Sequence, residues 1–309
     1  YTHYSIVFPT ANMQLTKSGN YIVYVYQDGD KSKTVLSRRF MVFDEKVSVV
    51  ANIKQAIGND EQYEKQHMDF SVINSNYNIT NSHVDLKVVL TQNYRWDNAV
   101  YDIKPTFNTP TQLTYSLDDA STFNGGNEFR FFDTRSLRTY TERVKNIYKD
   151  SLNKNRVELT ADENRSFLNY IFYNDINGGF LIKNKDMASN QDVEADYVWI
   201  NFFMPFDNPT PEGNFYILGK LTNWKLDKAN RMNYNYKRFG YECNLYVKQG
   251  YYNYIYAFLK DKNKAGDETL MEGNHWETEN DYIIYIYHRA RGTYYDQLIG
   301  MRKFNSRKN

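Results

Sequence analysis

Short runs with a two-residue period, rich in tyrosine and phenylalanine, recur along the chain. They include NYIVYVY (20–26), HVDLKVVLT (83–91), YVWINFFM (197–204), NFYILGKL (214–221), YECNLYV (241–247), YNYIYAFL (252–259) and YIIYIYHR (282–289). A period of two is that of a strand, whose successive side chains point to opposite faces. Aromatic and β-branched residues also favour a pleated, half-buried surface. Of the 309 residues 17% are aromatic, among them 29 tyrosines and 19 phenylalanines, against only six prolines. The predicted fold is therefore all-β, a series of tandem immunoglobulin-like or early-set β-sandwich domains.

A chain of this length holds two or three domains. Residues 20–43 read as a hairpin turned at Asp28-Gly29, apolar on both faces, so residues 1–46 are expected to be the C-terminal part of an N-terminal β-sandwich whose start is missing. The abrupt start YTHYSIVF, without an initiator Met, fits such a fragment or a mature form, and a missing signal peptide is then no evidence for the cytoplasm. Residues 47–190 form a central β-domain and 191–309 a C-terminal sandwich, joined by the polar stretch KDMASNQDVEAD (185–196). In HVDLKVVLT, Val84, Leu86, Val88 and Leu90 share one face, predicting a strand buried on one side. The polar segment 139–165 reads as a long loop, with a short helix allowed by the capping-box spacing of Thr160 and Glu163. IFYNDINGGFLI (171–182) reads as a hairpin around Asn177-Gly178-Gly179.

Charge and motifs exclude much. Thirty-eight basic and 37 acidic residues nearly cancel, leaving no broad field for a phosphate backbone and hence no nucleic-acid partner. No apolar run approaches the ~20 residues that span a bilayer. The one cysteine, Cys243, shares a strand face with Tyr241, Leu245 and Val247 and reads as a core thiol. There is no GxSxG elbow, HExxH or phosphate-binding glycine loop, and His3, His67, His83, His275 and His288 lack ligand spacing, so no metal or cofactor is expected. The run from Asp175 has Phe180 where a calcium loop needs glycine, and at best Asp186 as its last ligand.

The densest polar stretch is GGNEFRFFDTRSLR, 125–138. Asp118, Asp119, Glu128 and Asp133 include enough carboxylates for a glycosidase pair. Arg130, Arg135 and Arg138 lie among them, and mutual ion pairing is the simpler reading. The stretch is expected to be a structural strand, with Phe129 and Phe131 inward and the charges paired on the outer face. No residue is assigned a catalytic role.

EGNFYILGKLTNW (212–224) resembles the glycogen-binding carbohydrate modules of branching enzymes and AMP-activated kinase, in which the equivalent of Trp224 stacks on a sugar. The second aromatic of that platform is missing, since the matching place reads KDKNKAGDE. A glycan-binding β-sandwich using Trp224 is accordingly the alternative reading. SGNY (18–21), RRFMVF (38–43), GGNEFRFFDTRSLR, EGNFYILGKLTNW and YIIYIYHRARGTYYDQLIG (282–300), taken in order, resemble the type IX secretion system plug protein family of Bacteroidota. The resemblance implies a non-catalytic periplasmic protein that occludes the periplasmic mouth of the outer-membrane translocon barrel, SprA (also called Sov). The shuttle protein PorV is then an indirect partner, at the barrel's side opening. Arg135 and Arg138 are the expected translocon contacts. Asp150-Ser151-Leu152 also matches the short periplasmic O-glycosylation signal of these bacteria.

Overall fold

The computed structural model describes residues 3–59, 61–116, 119–263 and 265–307. The chain is all-β, with sheets that are antiparallel except at one parallel pair and packed as sandwiches, and helix among the described residues is confined to single turns. No helix among the described residues is long and apolar enough to cross a membrane. The strands assort into two compact units, Tyr1–Ala56 with Gln66–Phe123 and Asp281–Asn309, and Ile57–Lys65 with Asn124–Asn280.

In the first unit, strands Ser48–Gln55, Lys65–Ile73, Gln112–Tyr115 and Phe107–Asn108 form one sheet. Strands Gln297–Asn305, Asp281–His288, Leu86–Gln92 and Val100–Tyr101 form the other. Between them lies a core that includes Val72, Leu86, Val88, Leu90, Ile284 and Ile286. Phe70 and Tyr115 belong to the same core, their rings stacked 4.4 Å apart. The hairpin Gly19–Tyr26 with Thr34–Val42 pairs as predicted, turning through Asp28 and Gly29, both at positive φ.

Residues 83–91 depart from expectation in two ways. Ser82–Asp85 is a helical turn that leaves Val84 69% exposed, and the strand begins only at Leu86. That strand is buried on both faces. Val88 and Leu90 enter the sandwich core, while Val89 packs with Tyr285, Tyr287 and Leu298 in a second cluster that also holds Met41 and Trp96. Lys87 and Thr91 give the other face a hydrophilic look, but that face of the sheet is covered.

The second unit also has two sheets. Val144–Lys149, Asn155–Leu159, Tyr197–Pro205, Gly240–Lys248 and Asn233–Asn235 lie side by side, with Asn155–Leu159 parallel to Tyr197–Pro205. Opposite them, the long strand Gly250–Lys260 takes Arg130–Asp133 and Phe180–Ile182 on its first half and Gly213–Leu218 on its second. Phe132, Phe202, Phe215, Tyr252 and Tyr254 fill the space between. Segment 139–165 is thus not one loop but carries a hairpin, and Thr160–Glu163 is irregular rather than helical. Around Asn177-Gly178 the chain does turn, but 171–175 is not a strand, so no local hairpin forms.

The units do not follow the divisions drawn at 46/47 and 190/191. Strand Asp281–His288 pairs with Leu86–Gln92, which returns the chain's last strands to the unit that holds its first. The expected linker 185–196 is tied down instead: Asp186 accepts from the Ser136 hydroxyl and the Leu137 N–H, and Asn184 donates to Glu194 O.

The two-sided burial of Leu86–Gln92 is testable. Val89→Ser, at a position 7% exposed, should lower unfolding free energy by roughly 1–3 kcal/mol. Val84→Ser should stay within about 0.5 kcal/mol of the parent in the same urea titration.

Candidate interaction surface

The stretch 125–138 is tied down at its start. A Cβ on Gly125 would lie 2.0 Å from the His275 carbonyl oxygen, so only glycine fits. Gly125 donates its N–H to Glu64 O, and Gly126 O accepts from the His275 N–H and the Thr278 hydroxyl. The strand then runs Arg130–Asp133 against Tyr251–Tyr254, with Arg130 and Phe132 facing in and Phe131 and Asp133 facing out.

That parity overturns the expected arrangement, which put Phe131 inward and the charges outward. Arg130 is buried. Its Nε donates to both carboxylate oxygens of Glu272 (3.0 and 3.1 Å), one terminal nitrogen to Asp162 Oδ1 (3.1 Å) and the other to Glu163 O (2.8 Å). Asp162 is 1% exposed and also accepts from the hydroxyls of Tyr254 (2.6 Å) and Tyr256 (2.7 Å) and from Arg143. Glu272 further accepts from Arg165 Nε (2.6 Å) and the Tyr256 N–H (2.9 Å). Burial opposes the charge on Glu272, yet Arg130 and Arg165 hold its carboxyl below the usual range. Burial opposes the Arg130 charge as well, and Glu272 and Asp162 keep it raised all the same.

The other candidate residues fall into place around this cluster. Glu128 is buried and accepts from the Tyr170 hydroxyl and the Glu279 N–H. Asp133 pairs with Arg135 at 2.6 and 2.9 Å, and the Arg135 guanidinium lies 5.5 Å from the Tyr251 ring, on which Phe131 stacks. Arg138 is exposed. Asp119 lies in the other unit and is exposed, and Asp118 lies outside the described residues. Glu128 and Asp133 therefore do not face each other as an acid–base pair: one is buried under tyrosines, the other held by its own arginine. Trp224 is half-buried. It meets Phe129 edge-on at 5.9 Å and rests on Gly178, where a Cβ would lie 2.3 Å from its ring. Its contacts are those of a packing residue in the cluster of Leu218, Ile255 and Ala257. Cys243 is buried, and burial pushes its thiol up to about 12. Among the described residues no group of His, Cys, Asp and Glu could hold a metal ion. Asp175, first residue of the discarded calcium loop, accepts instead from the N–H groups of Phe129 and Asn177. Ser151 is exposed in the turn that Asp150 closes by accepting from the Leu152 and Lys154 N–H groups.

Over the outer side of the cluster lies a cleft of about 490 Å³, lined by Phe131, Glu142, Arg143, Asp162, Arg165, Tyr173, Asn174 and Tyr251 among others. Arg135 adjoins it through Tyr251. Arg165, Asp162, Glu272 and the two tyrosines were not singled out from sequence. One signal was present: Tyr254 and Tyr256 sit at core parity in YNYIYAFL, and a buried phenol needs a partner.

The N-terminal residues 1–44 match the family model described as "Type 9 secretion system plug protein 1st domain". No curated protein matches the sequence significantly. Among solved structures, the chain is similar to a hypothetical protein from Parabacteroides merdae ATCC 43184, with 33% identity and a TM-score of 0.91. The match covers 97% of this chain and 75% of that one. The chain belongs to the type IX secretion system plug protein family. Its role accordingly lies in type IX secretion.

Two outcomes check the cluster. Glu272→Gln leaves Arg130 and Arg165 without their shared anion and should destabilise by about 3–5 kcal/mol in denaturant unfolding. Burial pushes the Asp175 carboxyl up to about 7, against the two N–H groups it accepts from. An unfolded aspartate titrates near 4. Between about pH 4 and 7 the folded chain thus holds a proton that the unfolded chain has released, and this contribution to stability declines as pH rises through that window. Asp175→Asn should show a flatter melting temperature than the parent between pH 5 and 8, and an unchanged slope would rule the assignment out.

Proposed function

We propose that this protein is a non-catalytic periplasmic plug that occludes the periplasmic opening of the outer-membrane translocon barrel, SprA (Sov), while no cargo is passing. PorV, at the barrel's side opening, is the indirect partner. The observation that carries this reading is the match of residues 1–44 to the first domain of the plug family.

The physical chemistry of the chain supports it. A pore wide enough for folded cargo leaks solutes unless its mouth is filled by a body that does not deform. The second unit is cross-braced by buried arginine–carboxylate contacts, in which Asp162 and Glu272 are taken up by arginines and tyrosines, and Glu128 accepts from the Tyr170 hydroxyl and a backbone N–H. An interface that has to open again for cargo suits polar and aromatic groups over a permanent apolar seal, at a standard size of ~1,200–2,000 Å². Arg138 and Arg135 beside the Tyr251 ring are the contacts we assign to the barrel.

The test is co-purification from the native bacterium. The full-length protein, tagged at its C-terminus, should bring down the giant barrel from gently solubilised outer membrane. If no barrel is recovered at any ionic strength, the plug assignment fails for this chain.

A further inference from the structure

Residues 160–179 contain no helix or strand. Segments this long without secondary structure are uncommon in packed domains and are usually functional. In this one, three polar side chains point inward, while Asn164, Asn169 and Asn174 stay exposed: Arg165 donates to Glu272 and Glu128 O, Tyr173 to Glu128 O (3.0 Å) and Tyr170 to the Glu128 carboxylate. At its far end Asp175 accepts from the Phe129 N–H, and the Ile176 N–H donates to Asn253 Oδ1 (2.6 Å). Its large apolar residues point outward, with Phe167 92%, Leu168 60% and Ile171 71% exposed.

Isolated apolar residues on a surface need no explanation, but three within five positions of an anchored loop do. Folding gains nothing from their exposure, since serine would serve the backbone equally well. Anchored at both ends, the loop presents them at little further conformational cost, as a pre-organised contact does.

We infer that Phe167, Leu168 and Ile171 form an apolar contact that inserts into an uncharged cleft on the translocon. This inference rests on the plug reading and adds to it the residues and chemistry of one contact. Three observations select this occupant. Residues 166–174 (SFLNYIFYN) carry no charge, so the complementary surface is neutral. The three side chains expose about 400 Å² of apolar surface, roughly half of what one partner buries in a standard interface, which suits an anchor within a larger polar contact. The backbone here is irregular, and irregular backbone in lipid leaves polar groups unsatisfied, which favours a protein cleft over a bilayer.

The experiment compares the full chain with a Phe167→Ser, Leu168→Ser, Ile171→Ser variant, and with Asn169→Ser as a control, each tagged in the native bacterium. The triple variant should melt within about 2 °C of the parent, because exposed positions contribute little to stability. It should recover roughly tenfold less barrel, with the control unchanged. Barrel recovery equal to the parent's overturns the inference and leaves the plug reading standing. No recovery by the parent itself overturns both. Flotation of the parent, but not of the triple variant, with phosphatidylethanolamine vesicles would identify lipid as the occupant and overturn the protein cleft.

Discussion

Arg130 is the residue on which the second unit depends. A guanidinium taken out of water is costly, and it is tolerated only where its whole fork is satisfied. Glu272 and Asp162 do this from well-separated parts of the sequence, and Glu163 O takes a further donor. Through these contacts Arg130–Asp133 is joined to the helical turn Thr269–Glu272 and to the irregular segment after Leu159. Tyr254 and Tyr256 add the central strand to the same carboxylate. Removing a single partner would leave a buried charge uncompensated, so the elements are held as a group rather than pair by pair.

The loop 160–179 follows from that cluster. Arg165 shares Glu272 with Arg130, and Tyr170 and Tyr173 close on Glu128, so these three polar side chains are drawn inward. Phe167, Leu168 and Ile171 are left on the outer side with Asn164, Asn169 and Asn174. The same contacts line the cleft next to Phe131 and Tyr251, which Arg135 adjoins. One buried ion cluster thus arranges both surfaces from which a partner would be addressed.

Much of the fold was legible because strand periodicity is local. Gly240–Lys248, Gly250–Lys260 and Asp281–His288 stand where their alternating tyrosines and aliphatics placed them, and Cys243 is in the core. Residues 86–92 were read as one-sided because the second cluster, with Met41, Trp96 and Tyr285, covers a face that local composition cannot describe as covered. In 125–138 Phe129 is buried as expected, but the phase of the strand that follows was not legible: Phe131 looked inward, and Phe132 took that place beside Arg130. A slip of one residue exchanges the faces, and nothing in fourteen residues says that an acid 142 positions away waits inside.

The sequence by itself determined the all-β class, the position of most long strands, though not of Ser48–Gln55, Lys65–Ile73 or Gln297–Asn305, and the resemblance to the plug family. Each is written in short windows of period, turn residues and motif. Only the tertiary structure decided which strands share a sheet, so that Asp281–His288 joins Leu86–Gln92, far away in the sequence. It alone decided that the charges of 128–130 face inward and the apolar residues of 167–171 outward. The reason is common to both. Burial depends on what the rest of the chain brings to a face, and the free energy of a charge or an apolar group follows its burial, not its spacing.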